Sequence, residues 1–188
     1  MKFLSVATLL GFGFLSVVNA RKLLIIRHGE KISDDYLGLN DEGEARAHCL
    51  LQVFNNGTIF GEPDSIYSNK RGTRSHRPYD TVKPLADSIG IPVQEFHKYK
   101  PEVFVKNTLN KDPSEIILIS SAKEWIPSLL EAIGYEVDPE IEEFDNVWVV
   151  DNDDKKGNGY LHIEKQNIEE CIKENIDKVV VNNIKIKN

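Results

Sequence analysis

The chain has 188 residues, with 23 lysines and arginines against 30 aspartates and glutamates and a net charge of −7 with histidine neutral. That balance argues against a nucleic-acid surface or a polybasic membrane patch for the molecule as a whole. Positive charge is concentrated locally, since Lys70, Arg71, Arg74 and Arg77 fall within eight residues, and one basic pocket in an acidic protein suits a small anionic ligand.

Residues 1–20 read as a secretory leader. Lys2 is a small basic region, Leu4 to Val18 an apolar run, and Val18 and Ala20 the small residues that precede a cleavage site. The alternative, a membrane anchor, is opposed by the shortness of the run and by Gly11 and Gly13 within it. Cleavage after Ala20 leaves residues 21–188 as one secreted domain with a core of its own and no membrane association.

Strand-like and helix-like segments then alternate, predicting an α/β protein, a three-layer α/β/α sandwich around a mainly parallel sheet. Arg21 to Arg27 is the first strand, and its apolar run delivers Arg27, His28 and Gly29 to a carboxyl end. Asn40 and Asp41 cap a helix running to about Phe54. In the turn beyond it, Asn56-Gly57-Thr58 is a glycosylation sequon, with meaning in a eukaryotic host. Asp64 to Tyr67 is a short strand, and Arg74 to Ile89 a helix stopped by Gly90-Ile91-Pro92.

A short strand is expected near Val93, and Glu102 to Asn110 reads as a brief helix. Glu115 to Ser120 is a second core strand, followed by an amphipathic helix from Lys123 to Ile133. Asn146 to Val150 is a buried strand that leads into a charged loop, Asp151 to Gly159. The tail mixes a helix around Ile168 to Ile176 with a β-prone run, Val179 to Val181. Cys49 and Cys171 are the two cysteines; in an oxidising compartment such a pair is most economically a disulfide, with two buried free thiols as the alternative.

The chemistry starts at His28. A neutral imidazole attacks phosphorus only if one ring nitrogen is free and the other is held as a donor, and backbone carbonyls in the turn after a strand can hold it. Arg27 supplies paired donors to phosphoryl oxygens, and Gly29 permits close approach of the main chain to a phosphate. His48, His97 and His162 show no spacing that suggests a metal site, and no cofactor is expected.

Leu23 to Lys31 resembles the opening of the histidine phosphatase superfamily, the phosphoglycerate mutase-like proteins. Leu39 to Ala47 is similar to that family's first helix start, Ile66 to Ser68 with Arg77 to Ala86 to its second strand and second-arginine helix, and Ile116 to Ser121 to the strand before its second histidine. Phe144 to Val150 looks like the late strand of small secreted fungal-type members. The resemblance implies a phosphohistidine at His28, with Arg27 and Arg77 clamping the phosphoryl oxygens of a small phosphorylated substrate or of phosphate itself. It departs from the pattern at Ala122, where the second histidine should stand.

Lys123, one residue on, and His76, beside Arg77, are the candidate replacements, although His76 should face away around its helix. The leaving alcohol needs a proton from a carboxylic acid, for which Glu30 and Glu95 are the candidates. Loss of one preorganised donor at Ala122 should cost on the order of 10²–10³ in rate. The expectation is therefore a weakened phosphomonoester hydrolase. The alternatives are a degenerate member that binds phosphate or a phosphorylated ligand, and a secreted interaction protein.

Overall fold

A computed structural model of the chain describes residues 21–73, 75–136, 142–151 and 159–186. The expected leader, Arg74 and most of the expected loop from Asp151 to Gly159 lie outside the described residues. Six strands form one sheet: β1 (Lys22–Arg27), β2 (Ser65–Asn69), β3 (Val93–Phe96), β4 (Ile116–Ser121), β5 (Asn146–Asp151) and β6 (Tyr160–Lys165). Their order is β3-β2-β4-β1-β5-β6, in which β3, β2, β4 and β1 run parallel and β5 and β6 are antiparallel additions at one side.

Both faces of the sheet are covered, as the unbroken apolar run of β1 requires. Leu24 and Ile26 point to one side, with Ile66, Leu118, Val147 and Val149. There they pack on α1 (Asp41–Val53), α2 (Arg77–Ile89) and α5 (Glu169–Ile186). Leu23 and Ile25 point to the other side, with Tyr67, Ile119 and Trp148, and pack on α3 (Pro101–Asn107) and α4 (Ile126–Ile133). The structure is thus the expected three-layer α/β/α sandwich. Among the described residues no helix is long and apolar enough to cross a membrane.

Proline sets three helix starts later than the sequence reading placed them, or earlier. Pro78, Pro101 and Pro127 each sit in a first turn, where a missing N–H costs no helical bond. Hence α2 begins at Arg77 and not at Arg74, and α3 begins at Pro101, one residue before the expected Glu102. Lys123–Trp125 forms a separate 3₁₀ turn ahead of α4. The β-prone run at Val179 to Val181 is helical, within α5. Val179 is buried in the α1, α2 and α5 core, so tertiary packing overrides a weak local preference there. Strand β6 was not anticipated, because an edge strand with exposed Tyr160 and Ile163 lacks the apolar signature of the central ones.

Cys49 of α1 and Cys171 of α5 form a disulfide, with their Cα atoms 6.0 Å apart. Asn56, the expected glycosylation position, is exposed in the turn after α1, where Asn55 Oδ1 accepts from the Gly57 amide at 2.8 Å.

Candidate active site

The carboxyl ends of β1, β4 and β2 lie side by side and open into a cleft of about 600 Å³. That is the edge at which open α/β sheets bind ligands. Register places Arg27 opposite Ser121 and Ser68 opposite Ser120, so Arg27-His28, Ser121-Ala122 and Asn69 form one row along the cleft floor.

His28 is buried and its main-chain N–H donates to the Ser121 carbonyl at 3.0 Å. Its Nδ1 lies 2.7 Å from the Gly29 carbonyl. A carbonyl only accepts, so Nδ1 carries the proton and Nε2 keeps the lone pair. Burial, reinforced by the nearby guanidiniums of Arg77 and Arg27 and opposed by the Gly29 hydrogen bond, lowers the His28 pKa to about 4. The ring is therefore neutral at mildly acidic and neutral pH, the form a nucleophile needs.

Two arginines flank it. Arg27 Nη1 donates to the Glu142 carbonyl, and its guanidinium stacks 3.7 Å over the Phe144 ring. Arg77, at the first turn of α2, donates from Nε to Ser75 Oγ at 2.9 Å, while its buried Nη1 has no hydrogen-bond partner among the described residues. Both line the cleft, as do Lys31, Lys70, Lys98 and Lys123. Cations thus outnumber the two carboxylates on the wall, Asp34 and Glu124, and the local field favours an anion despite the acidic chain.

Four sequence expectations change here. Gly29 does not present its backbone to the cleft: its N–H donates to Thr81 Oγ1 at 2.9 Å. A Cβ at position 29 would lie 3.1 Å from the Cα and carbonyl oxygen of Gly43, so this glycine serves the packing of α1 against the turn. Glu30 is held by Arg46 of α1 at 2.7–3.0 Å in a buried ion pair that Gln166 extends, and is not on the cleft wall. Glu95 is bound by the Arg71 side chain and main-chain N–H, which hold its carboxyl below the usual range. Neither acid is placed to protonate a leaving group.

Lys123 does line the cleft, but its ammonium pairs with the Glu142 carboxylate at 2.6 and 2.8 Å and does not occupy the place beside Ala122. His76 pairs with Asp80 and faces a different cleft, of about 370 Å³, as its helical phase required.

The residues missed by sequence reasoning are Asn69, Ser75, Asp34, Glu124 and, on the outer wall, Lys98 and Tyr99, beside Trp125, which the sequence read as core or pocket wall. Tyr99 and Trp125 meet edge to face with centroids 4.8 Å apart, and the Lys98 ammonium lies 5.4 and 5.7 Å from the two rings. A signal existed for Asn69 alone, since it closes a strand whose carboxyl end borders the predicted site. Among the described residues no three histidines, cysteines or carboxylates gather as a metal site.

No protein-family model matches the chain, and no curated protein matches it in sequence. Solved structures do. A candidate alpha-ribazole-5'-P phosphatase of Escherichia coli K-12 superposes with a TM-score of 0.58 at 16% identity, covering 78% of this chain and 97% of that one. The protein histidine phosphatase SixA, complexed with tungstate, gives 0.53 at 15% identity, over 77% of this chain and 97% of its own. Mycobacterial hydrolase 2 gives 0.52 at 13% identity, over 82% and 95%. At these identities the likeness establishes the fold: this chain has the phosphoglycerate mutase-like α/β fold of the histidine phosphatases.

Proposed function

We propose that the chain is an exported phosphomonoester hydrolase that works through a phosphohistidine at His28. The observation that carries this reading is the state of His28: buried and neutral, its Nδ1 proton held by the Gly29 carbonyl, and placed between Arg27 and Arg77 at a cationic cleft. The expected leader and the Cys49–Cys171 disulfide support export to an oxidising compartment.

In the first step Nε2 attacks phosphorus in line, the N–P bond forms, and the P–O bond to the alcohol breaks. Arg27 and Arg77 neutralise the non-bridging oxygens. The leaving oxygen takes a proton from Glu124. Of the two wall carboxylates, Asp34 is kept ionised by its hydrogen bond to Lys31 and by the lysine's charge, which leaves Glu124, on the 3₁₀ turn that follows Ala122, for the role of acid. In the second step water attacks the phosphohistidine, the N–P bond breaks, the Glu124 carboxylate takes the water's proton, and inorganic phosphate leaves. Tyr99 and Trp125 at the outer wall favour a planar leaving group, so aryl phosphomonoesters are the substrate class.

Ala122 favours a second reading, oxyanion binding without turnover, because it offers only a methyl group to the phosphoryl site. Phosphate release from 4-nitrophenyl phosphate between pH 4 and 8 decides, run beside His28→Ala and Glu124→Gln. The hydrolase reading expects turnover that falls by at least about 10³-fold in His28→Ala. In Glu124→Gln it expects a deficit on alkyl phosphates about 10²-fold, larger than that on the nitrophenyl ester, whose leaving group needs little protonation. Tungstate binding by a wild type that releases no phosphate would support the second reading. Undiminished turnover in His28→Ala would overturn the first.

A further inference from the structure

Asn69 ends β2 on the cleft floor and is 3% exposed. Its side chain is oriented by neighbours that leave no choice. Oδ1 receives the Ala122 main-chain N–H at 2.8 Å and the Ser121 hydroxyl at 3.0 Å. A main-chain N–H can only donate, so the atom facing Ala122 must be the amide oxygen, and the amide nitrogen is turned the other way. That nitrogen, Nδ2, is buried and has no hydrogen-bond partner among the described residues.

Buried amide donors are rarely left unpaired, and one at a ligand-binding edge calls for an acceptor that arrives with the ligand. Arg77 Nη1, already expected to hold a phosphoryl oxygen, is likewise buried without a partner among the described residues. Asn69 and Arg77 both line the cleft of His28, and Ala122, which fixes the Asn69 amide through its backbone, supplies no side-chain donor. Asn69 also sits on a strand end tied to β4, which gives a donor the rigidity that transition-state stabilisation needs.

We infer that Asn69 donates from Nδ2 to a non-bridging phosphoryl oxygen, and that it is the neutral donor on the Ala122 side of the site. The inference rests on the phosphatase reading of the cleft and adds a residue to it. The amide carries no charge and no transferable proton, so it binds and stabilises the phosphoryl group and takes no part in proton transfer to the leaving alcohol.

Titration calorimetry with sodium tungstate, an oxyanion that binds without chemistry, tests the role on the full mature chain. Turnover of 4-nitrophenyl phosphate and thermal unfolding are measured on the same samples. Asn69→Ala removes the donor without adding charge. Asn69→Asp keeps an oxygen for the Ala122 N–H and the Ser121 hydroxyl, and so keeps the strand ends tied. The expected result is tungstate binding at least about tenfold weaker and kcat lower by about 10²-fold in a folded Asn69→Ala, with a loss at least as large in Asn69→Asp.

Asn69→Asp also adds a negative charge that repels an oxyanion, so the uncharged Asn69→Ala carries the test. A folded Asn69→Ala with unchanged binding and turnover overturns the inference, and so does an Asn69→Asp that binds tungstate like wild type. If Asn69→Ala does not fold, Asn69→Ser, uncharged and too short to place a donor where Nδ2 lies, is measured in its place. Wild type that neither binds tungstate nor releases phosphate would overturn the phosphatase reading and this inference with it. Active wild type with unaffected Asn69 variants would overturn the inference only.

Discussion

The imidazole of His28 is kept uncharged in the folded chain, the form that the proposed attack on phosphorus needs. Its pKa of about 4 in the folded chain lies below the ordinary value of 6.5, chiefly because burial penalises the imidazolium and two guanidiniums repel it. Below about pH 6.5 the unfolded chain therefore binds a proton that the folded chain refuses, so stability contributed by neutral His28 is complete above that pH and lost as pH falls towards 4. The full difference amounts to about 3 kcal/mol. Urea unfolding of wild type and His28→Ala at pH 7, 5.5 and 4 should show the variant gaining on wild type by about that amount across the range. A constant difference would mean that His28 is not held neutral. Arg27 and His28 were legible in sequence because they follow an apolar strand directly. Glu124 was not, and Asn69 was legible only as the end of a strand, since their meaning comes from which strand ends and turns the topology brings together.

At the scale of elements, the attacking turn is fixed from one side by α1. Asn40 caps that helix by accepting from Gly43 N–H at 2.8 Å, and the Asn40 N–H donates to the Glu30 carbonyl at 3.0 Å. Helix and turn are so close that a Cβ at Gly43 would lie 2.8 Å from the Glu30 nitrogen and nearer still to its carbonyl oxygen. Alanine is the better helix former by about 1 kcal/mol, so propensity alone predicts that Gly43→Ala stabilises. The clash is with backbone on both sides, and overpacking of that kind costs about 1–3 kcal/mol. The expected outcome is net destabilisation in urea unfolding together with loss of turnover, because displacing α1 moves the turn that carries His28. A more stable, fully active variant would show that the contact is loose. The capped start of α1 was readable from Asn40 and Asp41, and the alternation of strands and helices gave the layers. What the sequence did not disclose is that Gly43 meets Glu30 and that Glu30 spends its charge on Arg46, since both are contacts between segments distant from any local pattern.

Across the whole molecule, the C-terminal helix is joined to the half that carries the His28 cleft by few independent means. It packs on α1, its residues Ile172 and Val179 enter the core on that face beside Ile168, which directly precedes it, and Cys171 binds Cys49. The pairing followed from counting two cysteines in a chain with an expected export leader, while the helical state of the segment around it required the packing to be seen. A link across 122 residues of sequence restricts the unfolded chain strongly, by about 4–5 kcal/mol in the chain-entropy treatment. For a domain of this length that corresponds to a fall of roughly 10 °C or more in melting temperature when the bond is removed. Cys49→Ala with Cys171→Ala should therefore melt well below wild type. It should nevertheless keep its activity at 25 °C, because neither sulfur touches the cleft and the core on that face still holds α5. Scanning calorimetry of wild type and the double variant, with turnover measured at 25 °C, separates the two effects. Equal melting temperatures would mean that packing alone fixes α5. Loss of activity in a folded double variant would mean that this helix holds the site together through α1, the element that also anchors Glu30 through Arg46.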